Sequence, residues 1–325
     1  MIINKLGLGL WLLAASCCWG SSAVAQQKTM AEKSTTEGVV KQGDLSVFYN
    51  AEHGGRITQI ELKGVAILVG PEVHPDLSGN TWWPAPQSVW NWPPPASINN
   101  LPYQLDRQEN KVTMISAGES DFGVQLKKEI ELFDQNHLQI TYTATNLSEQ
   151  AKAFGHWEIT RVPKNGRVLF PVGKAFPKHF KGYDKKNALY DFGANCKELK
   201  SEDQAYFDFV IKAGELTLPN SDFNKLFADG KGWLAYQLDN QRVLIKYFRD
   251  ENPSEIAPQQ GEIEVYASPI LPLVELEQHA QYHELAPQAS SVYQVDWLVL
   301  ETEKGFSISA AWVEQQIQAH KRKVQ

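Results

Sequence analysis

Short runs of β-type sequence separated by turn residues fill the chain from residue 44 to residue 301. HLQITYTATN (137–146) alternates cleanly, with Leu138, Ile140 and Tyr142 on one face and Gln139, Thr141 and Thr143 on the other, the period of a half-buried strand. Similar runs include DLSVFYN (44–50), RITQIEL (56–62), VQLKKEIELF (124–133), FGHWEITRV (154–162), RVLFPV (167–172), GWLAYQL (232–238), RVLIKYF (242–248), GEIEVYA (261–267), LPLVELEQH (271–279) and SVYQVDWLVLE (291–301). Turn pairs such as Asn165-Gly166 and Asp239-Asn240 join neighbouring runs. Only SISAAWVEQQIQAHKRK (307–323) reads as a helix. Ile308, Ala311 and Trp312 stand at i, i+3 and i+4, and the basic residues gather at its C-terminal end, where the helix dipole favours them. Antiparallel runs with no βαβ rhythm predict an all-β protein of two packed sheets, one domain over 38–325, with a short C-terminal helix.

The N-terminus breaks this pattern. MIINKLGLGLWLLAASCCWGSSAVAQQ has one lysine, an apolar run from Leu6 to about Ala15, and small residues ending Ala23-Val24-Ala25. That is the form of a secretory signal peptide over 1–25, cut after Ala25. The apolar run is short for a membrane anchor, and Ala14 is a poor fit for a lipoprotein signal at Cys17. The expected location is periplasmic or secreted, with 26–37 a disordered polar linker. Cleavage removes Cys17 and Cys18 and leaves Cys196 alone, so no intramolecular disulfide is expected in a compartment that permits one. Lys5 is the only charge lost, leaving 30 basic against 38 acidic residues, a net −8. That balance argues against nucleic acid or an anionic membrane as partner.

Eight of the ten tryptophans lie beyond residue 25, four of them in NTWWPAPQSVWNWPPP (80–95). With five prolines in sixteen residues, this stretch predicts neither a regular helix nor a central strand. It reads either as a core plug or as an aromatic wall for a ligand. In a split reading, Trp83 and Trp90 pack inward while Trp82, Trp92 or both line a pocket, with Gln87 and Asn91 as polar neighbours.

Two constellations could carry chemistry. In His156-Trp157-Glu158-Ile159-Thr160-Arg161, a strand puts His156, Glu158 and Thr160 on one face and Trp157, Ile159 and Arg161 on the other. A histidine beside a carboxylate can move protons near neutral pH, or form a hydrogen-bonded polar face. In Leu273 to His279, Glu275, Glu277 and His279 alternate with apolar residues. Carboxylates two apart on one face raise each other's pKa, grip a ligand's hydroxyls, or sit on a solvated face. No nucleotide, serine-hydrolase or zinc-protease motif occurs. No cofactor or metal-ligand spacing is expected, although calcium ligands leave little sequence trace.

In order and character these pieces resemble the galactose mutarotase-like superfamily. GGRITQIELKGVAILVG (54–70) is similar to the family's opening hairpin, TYTATNLSEQAKAFGHWEI (141–159) to its A-T-N stretch leading to a histidine, and LVELEQHAQYHELAPQASSVYQVDWLVL (273–300) to its closing strand, turn and strand. Trp83-Pro84-Ala85-Pro86-Gln87 and Trp90-Asn91-Trp92-Pro93-Pro94 are similar to a bacterial branch carrying W-P-x-P-Q and W-x-W-P-P. The resemblance spans roughly residues 40–301 and implies a β-supersandwich. It also implies a cofactor-independent sugar epimerase, with His156 as general acid and Glu275 as base, Glu277 being the second choice. The stretch 80–95 departs from the family pattern in lacking a His-Gly and an arginine. Asp229 is a loose match and Asp184 a poor one for the family's substrate-binding aspartate. The competing expectation is a non-catalytic oligosaccharide-binding protein using Trp82, Trp83, Trp90, Trp92, Gln87, Asn91, Glu158, Arg161 and Glu277. A polysaccharide-degrading accessory domain is a third.

Overall fold

The computed structural model describes residues 36–118, 121–173, 197–200, 205–211, 225–238, 241–268 and 270–324. The leader expected at 1–25, most of the stretch 26–37, Asp184, Cys196 and the Asp239-Asn240 turn lie outside them.

Among the described residues, period-two alternation becomes strands β1 (Glu37–Gln42), β2 (Leu45–Asn50), β3 (Arg56–Leu62), β4 (Val65–Ala66), β5 (Asn80–Ala85), β6 (Gln104–Arg107), β7 (Lys111–Ile115), β8 (Val124–Asp134), β9 (His137–Asn146) and β10 (Lys152–Pro163). They continue as β11 (Gly166–Pro171), β12 (Lys197–Lys200), β13 (Ala205–Ile211), β14 (Lys225–Ala228), β15 (Trp233–Gln237), β16 (Arg242–Phe248), β17 (Ile263–Ala267), β18 (Leu273–Leu285) and β19 (Ser290–Glu301). A one-turn helix α1 (Ala96–Asn99), a longer α2 (Ala310–Val324) and 3₁₀ turns at Gln87–Val89 and Pro253–Glu255 add the helical elements. One antiparallel sheet runs β1-β2-β3-β5-β10-β18-β17-β14, with β4 beside β3. The other runs β12-β13-β11-β15-β16-β19-β9-β8-β7-β6. This is the all-β, two-sheet architecture expected from the pattern.

Leu138, Ile140 and Tyr142 are fully buried and face the other sheet, as the alternation requires. The Asn165-Gly166 turn joins consecutive strands, but β10 and β11 belong to different sheets. It therefore carries the chain across the sandwich rather than closing a hairpin. Asn165 takes the left-handed conformation, φ 72°, which asparagine tolerates. A Cβ on Gly166 would fall against the Tyr236 ring.

The outer face of the second sheet is covered by α2. Ile308, Val313 and Ile317 pack on Leu169, Val243, Ile245 and Leu298. The Ser309 hydroxyl accepts from the Trp312 amide, a cap that starts the helix at Ala310. The buried stripe is accordingly Val313, Ile317 and His320, and Ala311 is exposed.

The stretch 80–95 corrects one expectation. Residues 80–85 form β5, inside the first sheet and buried throughout. It pairs with β10 from Asn80 to Ala85, but with β3 only where Asn80 meets Ile57. At Pro84 the strand is thus an edge on the β3 side, and a missing N–H is tolerated there.

A candidate ligand face on the first sheet

Cross-strand partners share a face, so register assigns the site. On β10 and β18, Arg161 is opposite Glu275, Ile159 opposite Glu277 and Trp157 opposite His279. β5 adds Thr81 beside Ile159 and Trp83 beside Trp157, and β17 adds Glu264 opposite Glu277. These side chains point away from the second sheet. There Trp83, Ala85, Trp157 and Ile159 form a cluster closed by Ala257 and the half-buried Trp90.

Arg161 is buried at the centre of this face. Its Nε donates to Glu275 Oε1 at 2.7 Å and one terminal nitrogen donates to Thr81 Oγ1 at 3.0 Å. Its guanidinium lies 5.5 Å from the Trp83 ring centroid. The other terminal nitrogen is buried without a hydrogen-bond partner among the described residues, a donor held ready for an acceptor. Trp157 Nε1 donates to Glu277 Oε2, and the Trp157 ring stacks on His279 at 5.1 Å. Trp83 Nε1 donates to Asn99 Oδ1 and Trp90 Nε1 to the Pro84 carbonyl. Trp92 meets Trp83 edge-on and is 58 % exposed. Gln87, Asn91, Trp92, Trp157 and Gln260 line a cavity of about 310 Å³. Of the four tryptophans in 80–95, Trp92 therefore lines the pocket, while Trp83 and Trp90 pack into the cluster.

The opposite face of β10 is a different environment. His156, Glu158 and Thr160 lie between the sheets and are buried. Trp82 Nε1 donates to His156 Nδ1 at 3.1 Å, which leaves Nε2 to carry the proton and donate to Ser291 Oγ at 2.9 Å. Burial, then the nearby His283, lowers the His156 pKa to about 3. Glu158 accepts from Asn80 at 2.9 Å and Tyr142 at 3.2 Å, and pairs with Lys246 at 2.7 Å. Lys246 also donates to Thr160 Oγ1. Burial, partly offset by Glu158, lowers its pKa to about 8. Lys128 projects into the same interior, fully buried, its Nζ without a hydrogen-bond partner among the described residues. Burial, with repulsion from Arg56, lowers its pKa to about 7.

Three expectations change. His156 and Glu275 lie on opposite faces of one sheet, so they do not form an acid–base pair across one pocket. The cause is the odd spacing between His156 and Arg161, whose cross-strand partner is Glu275. Trp82 and Glu158 face the interior and not the cavity beside Trp92, because they share the His156 face. Asp229 is buried beside Gly173, one residue past the end of β14. Sequence reading missed Glu264, Lys246 and Lys128. For Glu264 a signal existed, because GEIEVYA alternates acidic and apolar residues as LVELEQH does.

The fold is that of the galactose mutarotase-like proteins. It is similar to a galactose mutarotase-like protein from Lactobacillus casei, at TM-score 0.56 and 9 % identity, covering 81 % of this chain and 100 % of that one. A galactose mutarotase related enzyme from Lactobacillus acidophilus aligns at TM-score 0.53 and 10 % identity, covering 84 % and 100 %. A galactose mutarotase-like protein from Clostridium acetobutylicum aligns at 0.51 and 13 %, covering 81 % and 95 %. Identities this low show the fold alone. No curated protein matches the chain in sequence. Residues 79–300 match the family described as a domain of unknown function, DUF4380, and the chain belongs to it.

Proposed function

We propose that this is an exported carbohydrate-binding protein that holds a sugar or oligosaccharide on the outer face of the first sheet, without using His156 as an acid. The observation that carries this reading is Trp92, an indole 58 % exposed at the mouth of a cavity it shares with Trp157, Gln87 and Asn91. Apolar C–H faces of a pyranose suit such a surface, and the amides suit its hydroxyls. Arg161, held by Glu275 and Thr81 on the same face, is fully buried and does not line this cavity. Export rests on the leader-like N-terminus.

The epimerase expectation loses its acid in this reading. A histidine with both nitrogens committed to protein partners, and a pKa near 3, does not donate protons at neutral pH. The test is a glycan array followed by titration of tryptophan fluorescence. Trp92→Ala should weaken binding by about 1–2 kcal/mol, roughly 5- to 30-fold, at unchanged melting temperature. Polarimetry of common aldoses should show no acceleration. Silence on every glycan, or full affinity in Trp92→Ala, refutes the reading.

A further inference from the structure

Glu264, Glu277 and His279 offer ligand atoms that all lie within 4.8 Å of one another, and all three residues are buried. Glu264 and Glu277 are direct cross-strand partners on β17 and β18. Like charges so placed destabilise a ladder even at a surface, and burial removes the water that would screen them. Lys246, a buried cation that feels Glu277, is itself paired with Glu158 at 2.7 Å. We propose that these three side chains bind one divalent transition-metal ion.

The donor set fits. Two carboxylate oxygens and one imidazole nitrogen match Zn²⁺ or Mn²⁺, whereas Ca²⁺ and Mg²⁺ prefer oxygen alone. His279 Nε2 stands 3.2 Å from Glu264 Oε2. Two ligands about 2.1 Å from a shared ion are separated by roughly 3.0–3.4 Å, so this pair needs little movement. Glu277 offers its ligand atom within 4.8 Å of both. The outer contacts are built as well, since Trp157 donates to Glu277 and stacks on His279, fixing both side chains. Outer contacts of this kind orient metal ligands. Three protein ligands leave coordination positions open to water, and Trp157 also lines the cavity.

Full-length protein is stripped with chelator and titrated with Zn²⁺, Mn²⁺ and Ca²⁺ by calorimetry, with thermal unfolding in parallel. One ion per chain is expected at micromolar Zn²⁺, with a raised melting temperature and far weaker Ca²⁺ uptake. His279→Gln and Glu264→Gln should each lose more than about 100-fold in Zn²⁺ affinity, beyond the 10- to 100-fold expected for the outer contact in Trp157→Phe. Glu264→Gln relieves the opposed charges, so its metal-free form should melt no lower than metal-free wild type, which separates lost ligation from misfolding. Wild type that takes up no Zn²⁺ or Mn²⁺, or variants that bind as tightly as wild type, overturns the proposal. No glycan enters these measurements, so their failure and that of the carbohydrate reading are distinguishable.

Discussion

Replacing Lys128 by methionine should stabilise the protein, and by an amount that depends on pH. Lys128 lies on the core-facing side of β8, fully buried, with its Nζ 5.5 Å from the Tyr142 ring centroid. Burial lowers its pKa from 10.5 to about 7. Between those values the unfolded chain binds a proton that the folded chain releases, so stability rises with pH across that window. The slope from this one group is about 1.4 kcal/mol per pH unit. At pH 7 the accumulated penalty is about 4 kcal/mol. Methionine is close in volume and carries no charge, so Lys128→Met should gain about 2–4 kcal/mol at pH 7, a gain that fades towards pH 10. Urea denaturation of both proteins at half-unit steps from pH 6.5 to 10 measures this. Wild type should show the steeper rise, because the other shifted groups, such as Lys246 with its pKa lowered to about 8, titrate in both proteins and cancel in the comparison. Equal slopes, or a variant less stable than wild type at pH 7, would refute the account of Lys128 as a buried amine without a hydrogen-bond partner.

Three further outcomes follow from the same geometry. Glu275→Gln leaves the buried Arg161 guanidinium uncompensated and should cost about 3 kcal/mol by urea denaturation, with much of it recovered in Arg161→Met/Glu275→Gln. His156 has its pKa lowered from 6.5 to about 3, so wild type should lose stability as pH falls from 6.5 towards 3, by up to about 1.4 kcal/mol per unit. His156→Gln should flatten that loss in acid titrations of the melting temperature. Gly79 enters β5 at φ 59°, where a Cβ would collide with the Ile57 carbonyl. Gly79→Ala should therefore cost more than about 1 kcal/mol, read as a lower urea midpoint.

Most of the described strands and the long helix α2 were legible because periodicity records which face is dry. The faces of HWEITR were legible for the same reason, since Arg161 and Glu275 do share one side. What could not be read was the identity of each side. Outer and inner positions are equally buried on β10 and β18, so periodicity places His156 and Arg161 apart without saying which meets a ligand. β5 was hidden by Pro84 and the prolines that follow the strand, because tolerance of Pro84 depends on where pairing with β3 ends, a tertiary fact. Glu264 escaped because its partner Glu277 comes from the neighbouring strand and is fixed only by register.

The adjacent tryptophans of β5 and the loop after it sit in unlike surroundings. Trp82 is dry and bonded to His156, while Trp92 is open to water. One short segment of four tryptophans thus carries both a buried and an exposed optical reporter. A soluble quencher reaches Trp92 and spares Trp82, so red-edge emission follows events at the cavity while blue-edge emission follows loosening between the sheets. Occupancy and integrity can be watched separately in a single cuvette, with no dye attached.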